Sequence, residues 1–184
     1  MDGLLACDWK LLKLSHAALG LSKRSSICYC KCVRLMEPGV GYIGVSTSFH
    51  CNDGKGNFLL HKRSKKCRDE HGKWDCGGGL LEYGSTLEDN VLREIMEEYG
   101  CRGEIQEQLP AINLLREHNG EKTHWVINTF FVKVDPEEVR NNEPEKFEEL
   151  GWFTLDNLPS PLHPGLIYEL EKFPEYFERY KRYI

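Results

Sequence analysis

The alternation of apolar and polar positions predicts a β-hairpin in the first half of the chain. Residues 40–49 and 57–62 are rich in β-branched and aromatic side chains, and the sequence NDGKG at 52–56 between them is typical of a hairpin turn. Residues 73–75 (KWD) continue as a short strand into the three glycines at 77–79. Consecutive glycines let the backbone adopt positive φ angles and approach a ligand closely. A flexible turn is the other interpretation, and the acidic helix that follows in the sequence favours a functional turn.

An amphipathic helix is predicted directly after these glycines. Its apolar stripe at helical spacing consists of Leu87, Val91, Leu92, Ile95 and Met96. Thr86 is placed as the N-cap, while Ser85 with Glu88 offers a competing capping-box register. Gly100 follows the last periodic residue and is predicted to end the helix at the C′ position. One face of this helix is therefore predicted to be buried.

The second half of the chain is predicted to form further strands and a closing helix. The predicted elements are strands at 105–116 and 123–134 with a turn at 118–120, an acidic loop at 141–149, a strand at 150–155 and an amphipathic helix at 163–180. Pro174 lies inside the closing helix and predicts a break in it.

Three carboxylates late in the first predicted helix are spaced at i, i+3 and i+4. They belong to Glu94, Glu97 and Glu98, and this spacing projects them from one helix face. Like charges this close repel one another unless a cation neutralises them, and hard oxygen ligands suit Mg²⁺ or Mn²⁺. A solvated acidic face is the other interpretation, and spacing alone does not decide between the two. The glycine turn in front favours the metal site.

Composition narrows the class of partner. The chain has 184 residues and a net charge of −5, which does not favour broad electrostatic attraction to nucleic acid. A local basic patch consists of His61, Lys62, Arg63, Lys65, Lys66 and Arg68, and it suits either a phosphate ligand or a solvated loop. No stretch approaches the roughly 20 apolar residues needed to cross a bilayer, so no membrane partner is expected.

Eight cysteines occur without a CxxC pair or a signal-like apolar segment. This usage predicts reduced thiols in a cytoplasmic protein rather than a disulfide scaffold. The alternating Cys28, Cys30 and Cys32 are considered for a soft metal, but their spacing differs from that of common zinc knuckles.

The first 35 residues differ in pattern from the rest. They combine leucines with basic residues, which is compatible with a targeting segment, a partner-binding helix or a disordered extension. A turn signal follows Met36, so we assign residues 1–35 to an N-terminal extension of unknown role and residues 36–184 to one compact domain.

The stretch from Gly79 to Cys101 resembles the signature of the Nudix hydrolases, G-x5-E-x7-R-E-U-x-E-E-x-G-U, in which U is apolar. Every fixed position matches except one, because Ser85 stands where the family carries its first glutamate. The flanking sequences WD at 74–75 and ELGWF at 149–153 also resemble the family. The resemblance covers about residues 40–180 and implies an α/β/α sandwich with a mixed β-sheet.

The resemblance implies hydrolysis of a nucleoside diphosphate linked to another group, by cleavage of a phosphoanhydride bond with Mg²⁺ or Mn²⁺. By motif, Glu94, Glu97, Glu98 and the carbonyl of Gly78 would be metal ligands, and Arg93 would orient Glu94. The substrate would be a small nucleotide, and a homodimer is a candidate assembly.

A carboxylate must also accept a proton from the attacking water. Glu97 and Glu98 lie within the cluster, whereas some family members use a glutamate from a later loop. Here that loop offers Glu145, Glu148 and Glu149, of which we favour Glu148.

The phosphates of the substrate need cationic partners near the same site. Lys62 and Arg63 are predicted to meet them, and Glu82 is a further substrate-side candidate. In the family, the box arginine pairs with the glutamate that Ser85 replaces here. Glu82 and Glu88 are the candidates to replace that partner, and if neither does, Glu94 is expected to be less well oriented and activity reduced.

Ser85 leaves a second function open, a Nudix-fold module that binds or senses a nucleotide with weak catalysis. The intact acids favour the enzyme, and we expect slow but real catalysis. An RNA-cap hydrolase is disfavoured by the net acidity. Nucleoside triphosphates and ADP-ribose-like diphosphates are both candidate substrates. Glu117 stands where members that prefer ADP-ribose often carry proline, so this position does not single out ADP-ribose.

Overall fold

The fold is a mixed β-sheet with helices on both faces, in a computed structural model that describes residues 37–118 and 120–181. The predictions for residues 1–35, including Cys28, Cys30 and Cys32, lie outside the described residues. The strands are β1 (Gly44–Asn52), β2 (Asn57–Arg63), β3 (Trp74–Asp75), β4 (Gly77–Leu80), β5 (Gly103–Gln108), β6 (Ile112–His118), β7 (Glu121–Val134) and β8 (Phe147–Thr154). The helices are α1 (Leu87–Tyr99), α2 (Pro164–Lys172) and α3 (Pro174–Glu178), with a 3₁₀ turn at Leu155–Asn157.

Strand β1 lies at the centre of the sheet. It pairs in parallel with β7, while β4 and β2 pair with it antiparallel. Strand β2 also pairs with β3 and β8, and β7 with β5 and β6, all antiparallel. The register places Gly78 opposite Ser48 and Gly79 opposite Thr47, so the glycine strand β4 lies against the middle of β1.

Successive residues of β7 point to opposite faces of the sheet and separate two apolar layers. Phe130 and Val132 pack with Val91 and Ile95 of α1 on one face. Phe131 packs on the other face with a cluster formed by Phe58, Leu109, Ile112, Phe173 and Phe177. Helices therefore cover both faces, and the α/β/α sandwich with a mixed sheet is confirmed.

Some predicted strand bounds were wrong. The single strand predicted at 105–116 is two strands, β5 and β6, with a break around Pro110, which has no N–H to donate to a ladder. Strand β1 begins at Gly44 rather than at Val40, because Val40 and Gly41 donate their N–H groups to Glu37 in a turn.

In the C-terminal half, the predicted start of one strand was wrong, and the predicted break in the closing helix is confirmed. Strand β8 begins at Phe147, inside the predicted acidic loop, and Phe147 is a buried core residue. The closing helix is interrupted at Phe173 before Pro174, as predicted. Within residues 37–118 and 120–181, no helix is long and apolar enough to cross a membrane.

Candidate active site

Helix α1 is positioned by caps that the sequence predicted. Thr86 Oγ1 accepts a hydrogen bond from the N–H of Asp89 at 3.1 Å, so Thr86, and not Ser85, is the N-cap. Gly100 has φ 63° and donates its N–H to the carbonyl of Met96. These caps determine where α1 begins and ends, and hence which of its side chains face β4.

The glycines of β4 lie against two carboxylates of α1. A Cβ added at Gly79 would fall 2.1 Å from Glu94 Oε1, and one added at Gly77 would fall 2.5 Å from Glu98 Oε2. The N–H of Gly78 donates a hydrogen bond to Glu98. Glycine is therefore needed at Gly79 because Glu94 occupies the space of a side chain, and at Gly77 because the Phe49 ring and Glu98 occupy it.

Glu98 is a buried carboxylate with an unsatisfied oxygen. Only 6% of the residue is exposed, and Oε2 has no hydrogen-bond partner among the described residues. Burial, reinforced by the charges of Glu94 and Glu143, raises the pKa of Glu98 well above its usual value. Burial also raises the pKa of Glu94, against the opposing effect of Arg93. Such a pair favours a bound cation, because a cation compensates both the desolvation and the mutual repulsion.

Arg93 holds the acids of α1 in place. Its guanidinium donates to Glu94 Oε1 at 2.8 Å, to Glu97 Oε1 at 2.9 Å and to Asn90 Oδ1 at 2.8 Å. Its Nε lies 3.6 Å from Glu82 Oε2. The hydrogen bond that Arg93 donates to Glu97, with the charge of Glu94, raises the pKa of Arg93. Of the two acids expected to replace the missing partner, the structure places Glu82 beside the arginine.

Asn90 is a site residue that the sequence reasoning missed. It is fully buried, and its Oδ1 accepts from the N–H of Glu82 as well as from Arg93. Its Nδ2 donates to Thr47 Oγ1 in β1 at 2.7 Å. Asn90 thus links the loop before α1, Arg93 and the central strand β1. The only indication of this role in the sequence was that a polar residue stands beside the apolar stripe of the helix.

The loop before β8 brings a further carboxylate to the cluster. Glu143 raises the pKa of Glu98 through its charge, and its Oε2 is buried without a hydrogen-bond partner among the described residues. Its Oε1 accepts from Lys146 Nζ at 2.7 Å. The N–H of Asn142 donates to the carbonyl of Glu98 at 3.0 Å and anchors this loop to α1. Glu143 lies in the predicted acidic loop, but nothing in the sequence distinguished it from its neighbours.

A family model described as the NUDIX domain matches residues 44–173. The chain belongs to the Nudix hydrolase family. A crystal structure of a MutT Nudix hydrolase from Burkholderia pseudomallei is 35% identical, with a TM-score of 0.62, and the match covers 71% of this chain and 97% of that one.

Two curated Nudix relatives show how far the similarity extends. The NAD-capped RNA hydrolase NudC of Pectobacterium carotovorum subsp. carotovorum is 29% identical over 48% of this chain and 32% of the relative. The nucleoside triphosphatase NudI of Enterobacter sp. is 28% identical over 56% of this chain and 77% of the relative. The chain spans about a third of the length of several other curated relatives that it matches.

Three further predicted residues of this Nudix domain, Glu148, Lys62 and Arg63, form contacts with groups outside α1. The side chain of Glu148 is 46% exposed and lies 4.0 Å from Lys62 Nζ. Arg63 is mostly buried and forms ion pairs with Asp69 at 2.9 Å and Asp75 at 3.2 Å. Lys62 is therefore more accessible to a ligand than Arg63, and Glu143 is coupled more directly to Glu98 than Glu148 is.

Proposed function

We propose that this Nudix protein hydrolyses a nucleoside diphosphate linked to another group, cleaving a phosphoanhydride bond with Mg²⁺ or Mn²⁺. The observation that carries the proposal is the pair formed by the buried Glu98 and the half-buried Glu94 beside the glycine strand. Glu98 retains an oxygen with no partner among the described residues. A protein interior tolerates such a pair when a cation neutralises it, and hard oxygen donors suit these ions.

The ligands of the ion would be Glu94, Glu97, Glu98 and the carbonyl of Gly78. Of these groups, Glu94 and Glu98 fit an ion, because glycines of β4 leave room for both carboxylates. A divalent ion held there would offset the charge of the phosphate oxygens and make the attacking water easier to deprotonate. Arg93 keeps Glu94 and Glu97 oriented through charge-assisted hydrogen bonds, which are stronger than neutral ones.

Glu143 is our candidate for the group that accepts the proton of the attacking water. Its buried Oε2 is not committed to another described group, and Lys146 orients the carboxylate through Oε1. Glu148, favoured from the sequence, remains the alternative, since some family members use a glutamate from this part of the chain. The variants Glu143→Gln and Glu148→Gln separate the two candidates. The variant that removes the base should lose hydrolytic activity, whereas the other should keep it.

A nucleoside triphosphate is the first substrate to test. The Enterobacter relative, most of whose length this chain covers, is named a nucleoside triphosphatase. ADP-ribose-like diphosphates remain the second class, and Lys62 is the predicted phosphate partner because Arg63 is held by two aspartates. The match covers only 32% of NudC, so the activity of that relative is not assigned to this chain. NAD-capped RNA is therefore included among the substrates to be tested.

The cellular location stays a prediction. Among the described residues Cys51, Cys67, Cys76 and Cys101 are unbridged, which supports the reduced, cytoplasmic environment predicted from cysteine usage.

The test is hydrolysis of a panel of nucleoside triphosphates, ADP-ribose, dinucleoside polyphosphates and NAD-capped RNA with Mg²⁺, with products identified by mass spectrometry. We expect Glu98→Gln to lower the rate by roughly 100-fold or more, since even changes around a metal's ligands cost up to about that much. The matched control is Glu104→Gln, an exposed acid of β5. Nucleotide binding without hydrolysis of any compound would favour the sensor module instead.

A further inference from the structure

Three buried side chains with metal-binding donor atoms meet on the face of the sheet opposite α1. They are His50 of β1, Cys76 between β3 and β4, and Glu169 of α2. Their donor atoms all lie within 4.8 Å of one another, and the residues are 2%, 8% and 4% exposed. They lie far apart in the chain and are brought together only because α2 packs on the sheet beside His50.

The donor set matches the preferences of a borderline ion such as Zn²⁺. Imidazole nitrogen, thiolate sulfur and carboxylate oxygen are its usual protein ligands. A divalent ion with one thiolate, one carboxylate and one neutral imidazole has no net charge. Neutrality matters at this site, because an uncompensated charge in a buried position is costly. Mg²⁺ prefers an all-oxygen set with several waters, so these residues do not suit the ion expected at the acid cluster.

Neighbouring groups already orient the donor atoms. Thr129 Oγ1 donates to Glu169 Oε1 at 2.6 Å, which leaves Oε2 directed at His50 Nε2, 2.7 Å away. Ser48 Oγ lies 3.3 Å from Cys76 Sγ. The His50 ring packs against Phe131 and Phe177, with ring centroids 5.3 Å and 4.9 Å apart. Outer contacts of this kind set the orientation and affinity of metal ligands.

We propose that His50, Cys76 and Glu169 form a structural site for a divalent ion, Zn²⁺ in the first instance, separate from the acid cluster of α1. The ion would link the central strand, the junction before β4 and helix α2. Binding would release to solvent the proton of the Cys76 thiol and the proton shared by His50 and Glu169, and the His50 and Glu169 donor atoms would move apart to admit the ion. The competing outcome is a metal-free hydrogen-bonded triad, which the experiment below distinguishes.

The test is a cobalt titration, because a thiolate bound to Co²⁺ gives a charge-transfer absorption that oxygen ligands do not produce. The full chain is used with Cys7, Cys28, Cys30 and Cys32 changed to serine, so that thiols of the first 36 residues contribute no signal. We expect a stoichiometric band that excess Mg²⁺ does not remove. Zn²⁺ should displace the Co²⁺, and purified protein should contain stoichiometric zinc by elemental analysis.

Variants locate the site. Cys76→Ala should abolish the band, whereas Cys101→Ala, at another buried thiol that packs on the α1 face, should retain it. Glu169→Gln keeps the side-chain shape and should also lose most of the binding, which covers the case of a Cys76 variant that fails to fold. Thr129→Val should weaken cobalt affinity by roughly 10- to 100-fold, as loss of a supporting contact does at other metal sites.

A background protein without the band and without bound zinc would overturn the proposal, as would a band that persists in both Cys76→Ala and Glu169→Gln. None of these readouts depends on hydrolysis. Failure of this site is therefore distinguishable from failure of the proposed enzymatic function, which rests on Glu94 and Glu98.

Discussion

Arg93 is the residue whose contacts change when Ser85 replaces the first glutamate of the Nudix box. Its contacts with Glu94, Glu97 and Asn90 are hydrogen bonds of ordinary length, while its Nε is 3.6 Å from Glu82 and has no hydrogen-bond partner among the described residues. Glu82 therefore replaces the missing family glutamate only in part. The position of Glu94 depends on how well this arginine is held.

We expect Glu82→Gln to lower kcat/KM by up to about fivefold, the rate equivalent of an exposed ion pair of at most about 1 kcal/mol. Ser85→Glu should leave activity unchanged or raise it, and in that background Glu82→Gln should have little effect. Steady-state hydrolysis kinetics measure all three, with Glu88→Gln, an exposed acid in the first turn of α1, as the control. A clear loss in Ser85→Glu would mean that the serine has its own role.

His61 is a buried histidine that the fold holds neutral. Its Nδ1 pairs with Tyr99 Oη at 2.8 Å, its ring stacks on Phe147, and its Nε2 has no partner among the described residues. Burial, with smaller contributions from Arg63 and His163, lowers the pKa of His61 to about 3. In the unfolded chain the same group binds a proton near its ordinary pKa of about 6.5.

Stability should therefore fall as pH drops below about 6.5, because the unfolded state binds the proton first. The contribution of His61 amounts to about 2 kcal/mol between pH 7 and pH 5. Urea unfolding at both pH values should show a smaller decrease in His61→Gln than in the wild type. The exposed His71 provides the control variant His71→Gln, and an unchanged pH dependence in the His61 variant would contradict the assignment.

At the scale of elements, β4 and α1 form one unit in which glycines of the strand make room for acids of the helix. Gly78 and Gly79 are adjacent, but their surroundings differ. A Cβ at Gly79 would meet the end of the flexible Glu94 side chain, whereas one at Gly78 would lie 2.7 Å from the backbone carbonyl of Thr47. Substitutions at Gly79 and Gly78 therefore distinguish an effect on catalysis from an effect on the stability of the strand.

We expect Gly79→Ala to displace the Glu94 carboxylate and lower activity by on the order of 100-fold, since small misplacements of reacting groups have effects of this size. Its free energy of unfolding should change little, because the side chain of Glu94 can rotate away. Gly78→Ala should in addition destabilise the protein by about 1–3 kcal/mol, because the strand itself must shift. Hydrolysis kinetics and urea unfolding of both variants check this, and full activity in Gly79→Ala would argue against Glu94 as a ligand.

At the scale of the whole molecule, the two apolar layers assemble the acid cluster from distant parts of the chain. Helix α1 packs on Phe130 and Val132, and the loop before β8 then brings Glu143 beside Glu98. The complete cluster therefore exists only in the folded protein. An ion that binds it should stabilise the fold.

Saturating Mg²⁺, at about 100 times its dissociation constant, should raise the free energy of unfolding by about 2.7 kcal/mol. For a domain of this size the melting temperature should rise by roughly 5–10 °C. Thermal unfolding with Mg²⁺ and with EDTA measures the shift, at ionic strength matched with Na⁺. Glu98→Gln should show little of it and Glu104→Gln all of it, and a wild type indifferent to Mg²⁺ would contradict the metal site.

The sequence by itself determined the local features of this protein. Thr86 and Gly100 cap α1 through hydrogen bonds within a few residues, and the spacing of Glu94, Glu97 and Glu98 follows from helix geometry. The box and its flanking residues were therefore enough to indicate the family, the fold class and the acids. Local signals of this kind do not depend on how the rest of the chain packs.

Only the tertiary structure decided which distant groups complete these local features. It selected Glu82 as the acid beside Arg93 Nε and Glu143 as the acid beside Glu98. It also brought together His50 and Glu169, which are 119 residues apart. Such contacts depend on the packing of helices against the sheet, so neither periodicity nor spacing along the chain reveals them.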